Sequence, residues 1–275
     1  MSHSLQEIFE AAKVTLSLAF LLYASWSDYK TREVSNRVWM LFAPSALLLS
    51  IVELLLYEPS RLSLFGLSFG VTVVIAFILF YSGGFGGADS KALMCIALAL
   101  PFAPTTLFTP ILALGVSPLA QNIFPLTIFS NSVLVAAFSG VALLFYNLFW
   151  RIKTGKKVFE GTLASEPFWK KVLVLITGYR VSVAKLQAKW HIYPMEDITE
   201  ENGEDPAKRK LVVVPKDEGR DEIVARLSKA VDAGKIDANV WATPGLPMLI
   251  FVTVGLIIAL LFGDIVWLLV SFALG

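Results

Sequence analysis

The strongest constraint on this chain is where its charges are missing. Residues 151–247 hold 17 of the 23 Lys and Arg and 14 of the 22 Asp and Glu, which leaves six basic and eight acidic residues for the other 178. A soluble domain carries about 25% charged residues. The charge-poor part is instead built from apolar runs at about 8–27, 38–57, 62–82, 90–108, 124–149 and 248–272. Each is close to the roughly 20 residues that cross the hydrocarbon of a bilayer as a helix. An ordinary soluble globule, a disordered tail and a nucleic-acid-binding domain are excluded. The net charge of +1 sets up no global field toward an acidic partner. The expected architecture is a polytopic α-helical membrane protein of about six transmembrane helices. A small mixed α/β cytoplasmic domain is inserted between helices five and six. Residues 1–150 form the membrane domain, 151–247 the soluble insert and 248–275 the final span.

The short loops orient these spans. Lys30, Arg32 and Arg37 follow the first, Lys91 the third, and Arg151, Lys153, Lys156 and Lys157 the fifth. The opposite loops carry Arg61, and 109–123 has no charge. The positive-inside rule puts the first set in the cytoplasm and the N-terminus outside. The first span has Glu7, Glu10 and Lys13 near its start, lacks the basic head and cleavage site of a secretory signal, and is expected to be retained. Pro101, Pro104 and Pro110 interrupt the fourth run. It is either a short span followed by a buried non-helical connection or a re-entrant piece, which backbone chemistry permits only where protein or water satisfies it. Within the insert, 168–176 reads as an amphipathic, membrane-skimming helix, 189–194, 210–214 and 240–243 as strands, 197–209 as a solvated loop and 219–232 as a helix.

Ionisable groups inside spans are costly, so each acid there is a functional candidate. Glu53 and Asp264 fall in the outer halves of their spans. Asp28 ends the first span, in Ser27-Asp28-Tyr29-Lys30-Thr31-Arg32-Glu33-Val34-Ser35-Asn36. Asp89 opens the fourth, in Gly83-Gly84-Phe85-Gly86-Gly87-Ala88-Asp89-Ser90-Lys91. Both lie at the cytoplasmic edge. Two adjacent carboxylates resist double ionisation. One stays protonated and polarises a scissile carbonyl while the other takes a proton from an attacking water. The glycines leave a backbone without Cβ bulk, which an extended peptide can approach. The plainer alternatives are a helix cap for Asp89, an interfacial acid for Asp28 and a positive-inside anchor for Lys91. Cys95 is the sole cysteine, and His3 and His191 are far apart, so no metal site and no cofactor is expected.

The Gly86-Gly87-Ala88-Asp89 run with Ser90-Lys91 resembles the glycine-x-hydrophobic-aspartate motif of intramembrane aspartyl proteases related to prepilin peptidases, enzymes of the glycine-x-glycine-aspartate type. The Asp28 segment through Val34-Ser35-Asn36 resembles their first-aspartate segment. The insert and Trp241-Ala242-Thr243-Pro244-Gly245-Leu246-Pro247 before a last span resemble the archaeal branch, the preflagellin (prearchaellin) peptidases. The resemblance implies Asp28 and Asp89 as the catalytic pair and Gly86, Gly87 and Ala88 as the motif loop. It implies a precursor substrate with a short basic leader ahead of a hydrophobic helix, cut at the cytoplasmic face of the cell membrane. It implies cleavage only, because the tetracysteine zinc region common in bacterial relatives is missing and no cofactor motif supports methyl transfer. The lipid bilayer is the other partner, and no nucleic acid is expected. Two rival readings are a transporter, seeded by Glu53, Asp264 and the proline-broken run, and a non-catalytic assembly scaffold. The acidic residues Asp197, Glu200, Glu201, Glu204 and Asp205 either recognise the basic leader or are simply solvated.

Overall fold

The computed structural model describes residues 2–111, 117–199, 208–213, 219–245 and 247–274. Helices α1 (Ser2–Thr31), α2 (Asn36–Tyr57) and α3 (Leu62–Tyr81) come first, followed by a glycine-rich turn and the short α4 (Gly87–Ala99). A single turn, α5 (Pro118–Asn122), precedes the long α6 (Phe124–Thr154). Then follow α7 (Phe168–Thr177), β1 (Tyr179–Ser182), α8 (Val183–Ala188), β2 (Ile192–Pro194), β3 (Glu196–Thr199), β4 (Lys208–Leu211), α9 (Arg220–Asp232) and β5 (Asn239–Pro244). Helices α10 (Met248–Phe262) and α11 (Ile265–Leu274) come last. The chain divides into two compact units, one of Met1–Ala136 with Pro247–Gly275, the other of Ala137–Leu246.

In the first unit the expected six spans become fewer. Among the described residues, Leu5–Thr31, Asn36–Tyr57, Pro59–Tyr81 and Phe124–Thr154 are long and apolar enough to cross a bilayer, and α10 with α11 would make a fifth. Helix α4 has 13 residues. At 1.5 Å per residue it rises about 20 Å, short of a hydrocarbon core of about 30 Å. It ends at Pro101, which cannot continue the hydrogen-bond ladder and biases Leu100 away from the helical region. Its apolar side chains meet protein rather than lipid. Leu93, Ile96, Ala97 and Ala99 are fully buried, and α1, α2, α3 and α10 all pack on it. The carbonyls freed at its C-terminal end find donors in neighbouring helices. The Ser50 hydroxyl donates to Leu98 O at 2.6 Å and Ser68 to Pro101 O at 3.1 Å.

The expected last span is likewise broken. α10 and α11 meet at 61°. Gly263 takes φ +80°, and a carboxylate oxygen of Asp264 accepts the Trp267 N–H at 3.0 Å, capping α11. Its other oxygen accepts from Ser117 at 2.8 Å and Thr127 at 3.3 Å. Asn131 bonds both backbone groups across the break, Gly263 O at 2.9 Å and Ile265 N at 3.1 Å. Asp264, singled out as a transport candidate, thus serves the bend. Glu53 is equally committed: it forms a buried ion pair with Lys13. Glu10 accepts from the Thr106 hydroxyl and backbone N–H and from Leu107 N–H, fixing the non-helical stretch after α4.

The Lys13–Glu53 pair yields a prediction. Lys13→Met leaves a buried carboxylate without its partner and should cost about 3–5 kcal/mol, whereas Lys13→Met with Glu53→Leu should recover most of that loss. Thermal unfolding in one detergent compares the three chains. A double variant no more stable than the single would contradict the buried pairing.

In the second unit, β5 is the central strand of an antiparallel sheet of order β1-β5-β2, with Val181 opposite Val240 and Pro194 opposite Ala242. Strands β3 and β4 form a separate antiparallel pair. The expected helix at 219–232 is α9, which buries Val224, Leu227 and Ala230 with Leu186, Ile192 and Val240. Ile223 and Val231 sit at the edge of this core. The strands expected at 189–194, 210–214 and 240–243 correspond to β2, β4 and β5 with shifted ends. Two elements, β1 and α8, are too short to show a period.

The region 197–209 is not simply a solvated loop, because residues to Thr199 lie in β3. Beside it, Glu196 is fully buried and holds the Arg209 guanidinium and the Trp241 N–H at 2.7 Å. Burial pushes the Glu196 carboxyl up while these partners pull it back. Asp197 is bound by Arg226 at 2.9 Å and by Lys210 at 3.4 Å. The other acids of that stretch, Glu200, Glu201, Glu204 and Asp205, lie outside the described residues. Helix α7 covers the expected amphipathic segment. Asn147 of α6 donates to Leu175 O and Gly178 O at 2.9 and 2.7 Å, and Phe168 and Trp169 are exposed.

Candidate active site

Asp28 lies in the last turn of α1, on the face that carries Leu21 and Ala24 into the core. The helix stops three residues later. Arg32 takes φ +60°, and its N–H closes the end on Asp28 O at 2.9 Å. Side chains brace the exit. The Ser27 hydroxyl donates to Glu33 O at 2.7 Å and Thr31 to Ser27 O at 2.9 Å. Ser35 then caps α2 by accepting the Arg37 N–H.

Asp89 is set by the turn between α3 and α4. Gly83 at φ +76° reverses the chain, and the N–H groups of Gly84 and Phe85 both reach Leu79 O, at 2.9 and 3.0 Å. Phe85 is buried against Phe129, ring centroids 5.6 Å apart, and anchors the turn. Gly86 is the residue before α4. Its N–H donates to Asp89 Oδ2 at 2.9 Å, so one carboxylate oxygen closes the start of its own helix. A side chain at Gly86 would place Cβ 3.1 Å from that oxygen. Gly87 has only ordinary contact with Phe80 at 3.7 Å, so internal packing does not demand glycine there. Ala88 packs against the core. Ser90 bonds Gly86 O at 3.2 Å and Ala76 O at 3.3 Å, tying α4 to α3.

The two acids stand on neighbouring helices. Helices α1 and α4 pack side by side, both carboxyls are half-buried, and the charge of Asp28 is felt at Asp89. A further link joins the two motif segments. Lys91 donates to Asn36 Oδ1 at 2.7 Å, fastening the start of α4 to the start of α2. Sequence reasoning reads Lys91 as a loop anchor and misses this bond, since its partner is 55 residues away. Arg32 is also missed as anything but a loop charge, although it is the cation whose field reaches Asp28. Among the described residues no three His, Cys, Asp or Glu side chains are grouped as metal ligands would be.

Apolar helices long enough to span a bilayer, with two half-buried carboxyls on neighbouring helices beside a glycine turn, define the class: a helical membrane protein. Residues 15–141, which include both acids and the turn, match the model of the type IV leader peptidase family, and residues 170–265 match that of the archaeal peptidase A24 C-terminus, type II. The two matches liken the chain to this peptidase family, with the archaeal type over its C-terminal part. It is similar to the preflagellin peptidase of Methanococcus voltae, 28% identical over 255 residues that cover 90% of this chain and 94% of the relative. It is also similar to the preflagellin peptidase of Methanococcus maripaludis, 25% identical over 255 residues, covering 89% and 92%.

Proposed function

We propose that this chain is a membrane-embedded aspartyl endopeptidase. It removes short basic leader peptides from archaellin or type IV pilin-like precursors at the cytoplasmic face. The observation that carries this reading is that Asp28 and Asp89 stand half-buried on packed helices, the second beside the glycine turn. The preflagellin peptidases it resembles support the substrate class. Lys30, Arg32, Arg37 and Lys91 lie at the helix ends and connection nearest the two acids, which supports a cytoplasmic site and an outside N-terminus. Residues 151–247 are then a cytoplasmic insert.

In the reaction one carboxylate removes a proton from water as its oxygen bonds to the scissile carbonyl carbon. The other, protonated, hydrogen-bonds the carbonyl oxygen. The C–N bond then breaks, and the departing amine takes a proton from the acid. Without a Cβ at Gly87, an extended substrate backbone can approach the turn before Asp89 closely.

The test is reconstitution in lipid with a leader-bearing precursor, followed by N-terminal sequencing of the product. Cleavage between the basic leader and the hydrophobic helix is expected. Intact precursor with several leader types would overturn the assignment.

A further inference from the structure

Arg32 is the one described non-glycine residue with a left-handed backbone, at φ +60°. Helices commonly end in this conformation, but glycine normally supplies it, because a Cβ there is crowded. A chain that needed only a helix stop would be better served by glycine. The arginine must be held for its side chain.

That side chain is placed unusually. It is half-buried, and its Nε is buried with no acceptor among the described residues. Buried guanidinium donors are almost always paired, since an unmet donor forfeits its hydration without return. Two separate costs, one in the backbone and one in the side chain, therefore meet at a single residue. That residue stands one helical turn beyond Asp28, near enough for its charge to act on the carboxylate. Such costs persist where they serve a site. Arg180 in the second unit also has an unmet buried Nε, but on an ordinary backbone, and Arg220 has every nitrogen bonded, Nε to Ile192 O at 3.0 Å and the others to Leu186 O, Lys189 O and Asp221.

The geometry points to Arg32 as a substrate-binding residue, whose part-exposed guanidinium turns as substrate enters so that the unpaired Nε–H donates to a backbone carbonyl of the extended precursor segment lying against Asp28. The chemistry asked of the ligand is a peptide carbonyl, an acceptor that every precursor carries whatever its leader sequence. This inference rests on the reading of Asp28 as catalytic.

The experiment compares Arg32→Gly, Arg32→Lys and Asp28→Asn with the unmodified chain in the same lipid, on a precursor titration. Arg32→Gly relieves the backbone, so it should unfold at no lower temperature than the parent. It should nevertheless lose about 10- to 100-fold in kcat/KM, carried mainly by KM. Arg32→Lys keeps the charge but lacks Nε, so it should show a similar rise in KM. Normal KM in either Arg32 variant, with Asp28→Asn inactive, overturns the inference and leaves the catalytic reading standing. Lost cleavage together with a lower unfolding temperature in Arg32→Gly makes Arg32 a purely structural residue and also overturns it. Cleavage that survives Asp28→Asn overturns the catalytic reading, and this inference with it.

Discussion

Asparagine at position 28 or at position 89 is expected to reduce leader cleavage by about 10²- to 10⁴-fold, the range typical of a lost general acid or base. The substitution is chosen because it separates chemistry from capping. Asp89 Oδ2 accepts the Gly86 N–H, and an asparagine Oδ1 can accept the same bond. If Asp89 only closes the start of α4, the Asn variant should be stable and active. If it also works on a scissile peptide, that variant should be stable and inactive. Asp28 offers a still cleaner test, since among the described residues no hydrogen bond to its carboxyl would be lost. Full activity in either variant, measured by product N-terminal sequencing, would return that acid to a structural role. Full activity in both would place the peptide-cleaving groups elsewhere in the chain.

The second large effect is on folding. Gly255 of α10 lies where that helix crosses α6. A methyl group there would sit 2.1 Å from Ser132 Oγ, 2.6 Å from Ile128 O and 2.9 Å from Ser132 N. The hydroxyl could rotate away, but the two backbone atoms belong to α6 and cannot move without parting the helices. Helices in membranes associate through such close approaches, because lipid contributes no hydrophobic drive between them. Gly255→Ala should therefore cost at least the ~1–3 kcal/mol typical of overpacking. It should lower the detergent unfolding temperature clearly, and Ser132→Ala should not rescue it. An unchanged unfolding temperature would mean that the two helices part readily at this crossing.

Much of the site was legible before the fold was known. Asp28 and Asp89 stand out because charge is rare in an apolar stretch and because four glycines flank one of them. The anchors around them were not legible. Lys91–Asn36 joins residues 55 apart, Lys13–Glu53 joins residues 40 apart, and Asp264 finds Ser117 from 147 residues away. Local pattern carries no information on pairs so remote. Glu53 and Asp264 therefore look like transport candidates in the sequence and prove to be an ion-pair partner and a helix cap. The acidic stretch from Asp197 misleads in the opposite direction: composition suggests solvation, yet Asp197 is buried in β3, where Arg226 and Lys210 meet its carboxylate.

The sequence alone determined that this chain enters a membrane, because apolar length and charge distribution are sums along the chain. It also marked the two acids and their glycine turn. Tertiary structure decided the rest. Hydropathy cannot distinguish a helix facing lipid from one facing other helices, since both want the same side chains. Helix α4 therefore reads as a span, although it is a 13-residue helix enclosed by its neighbours. The same limit hides why Gly255 must be glycine: that is set by the α6 backbone across from it in space, which no window along the sequence contains.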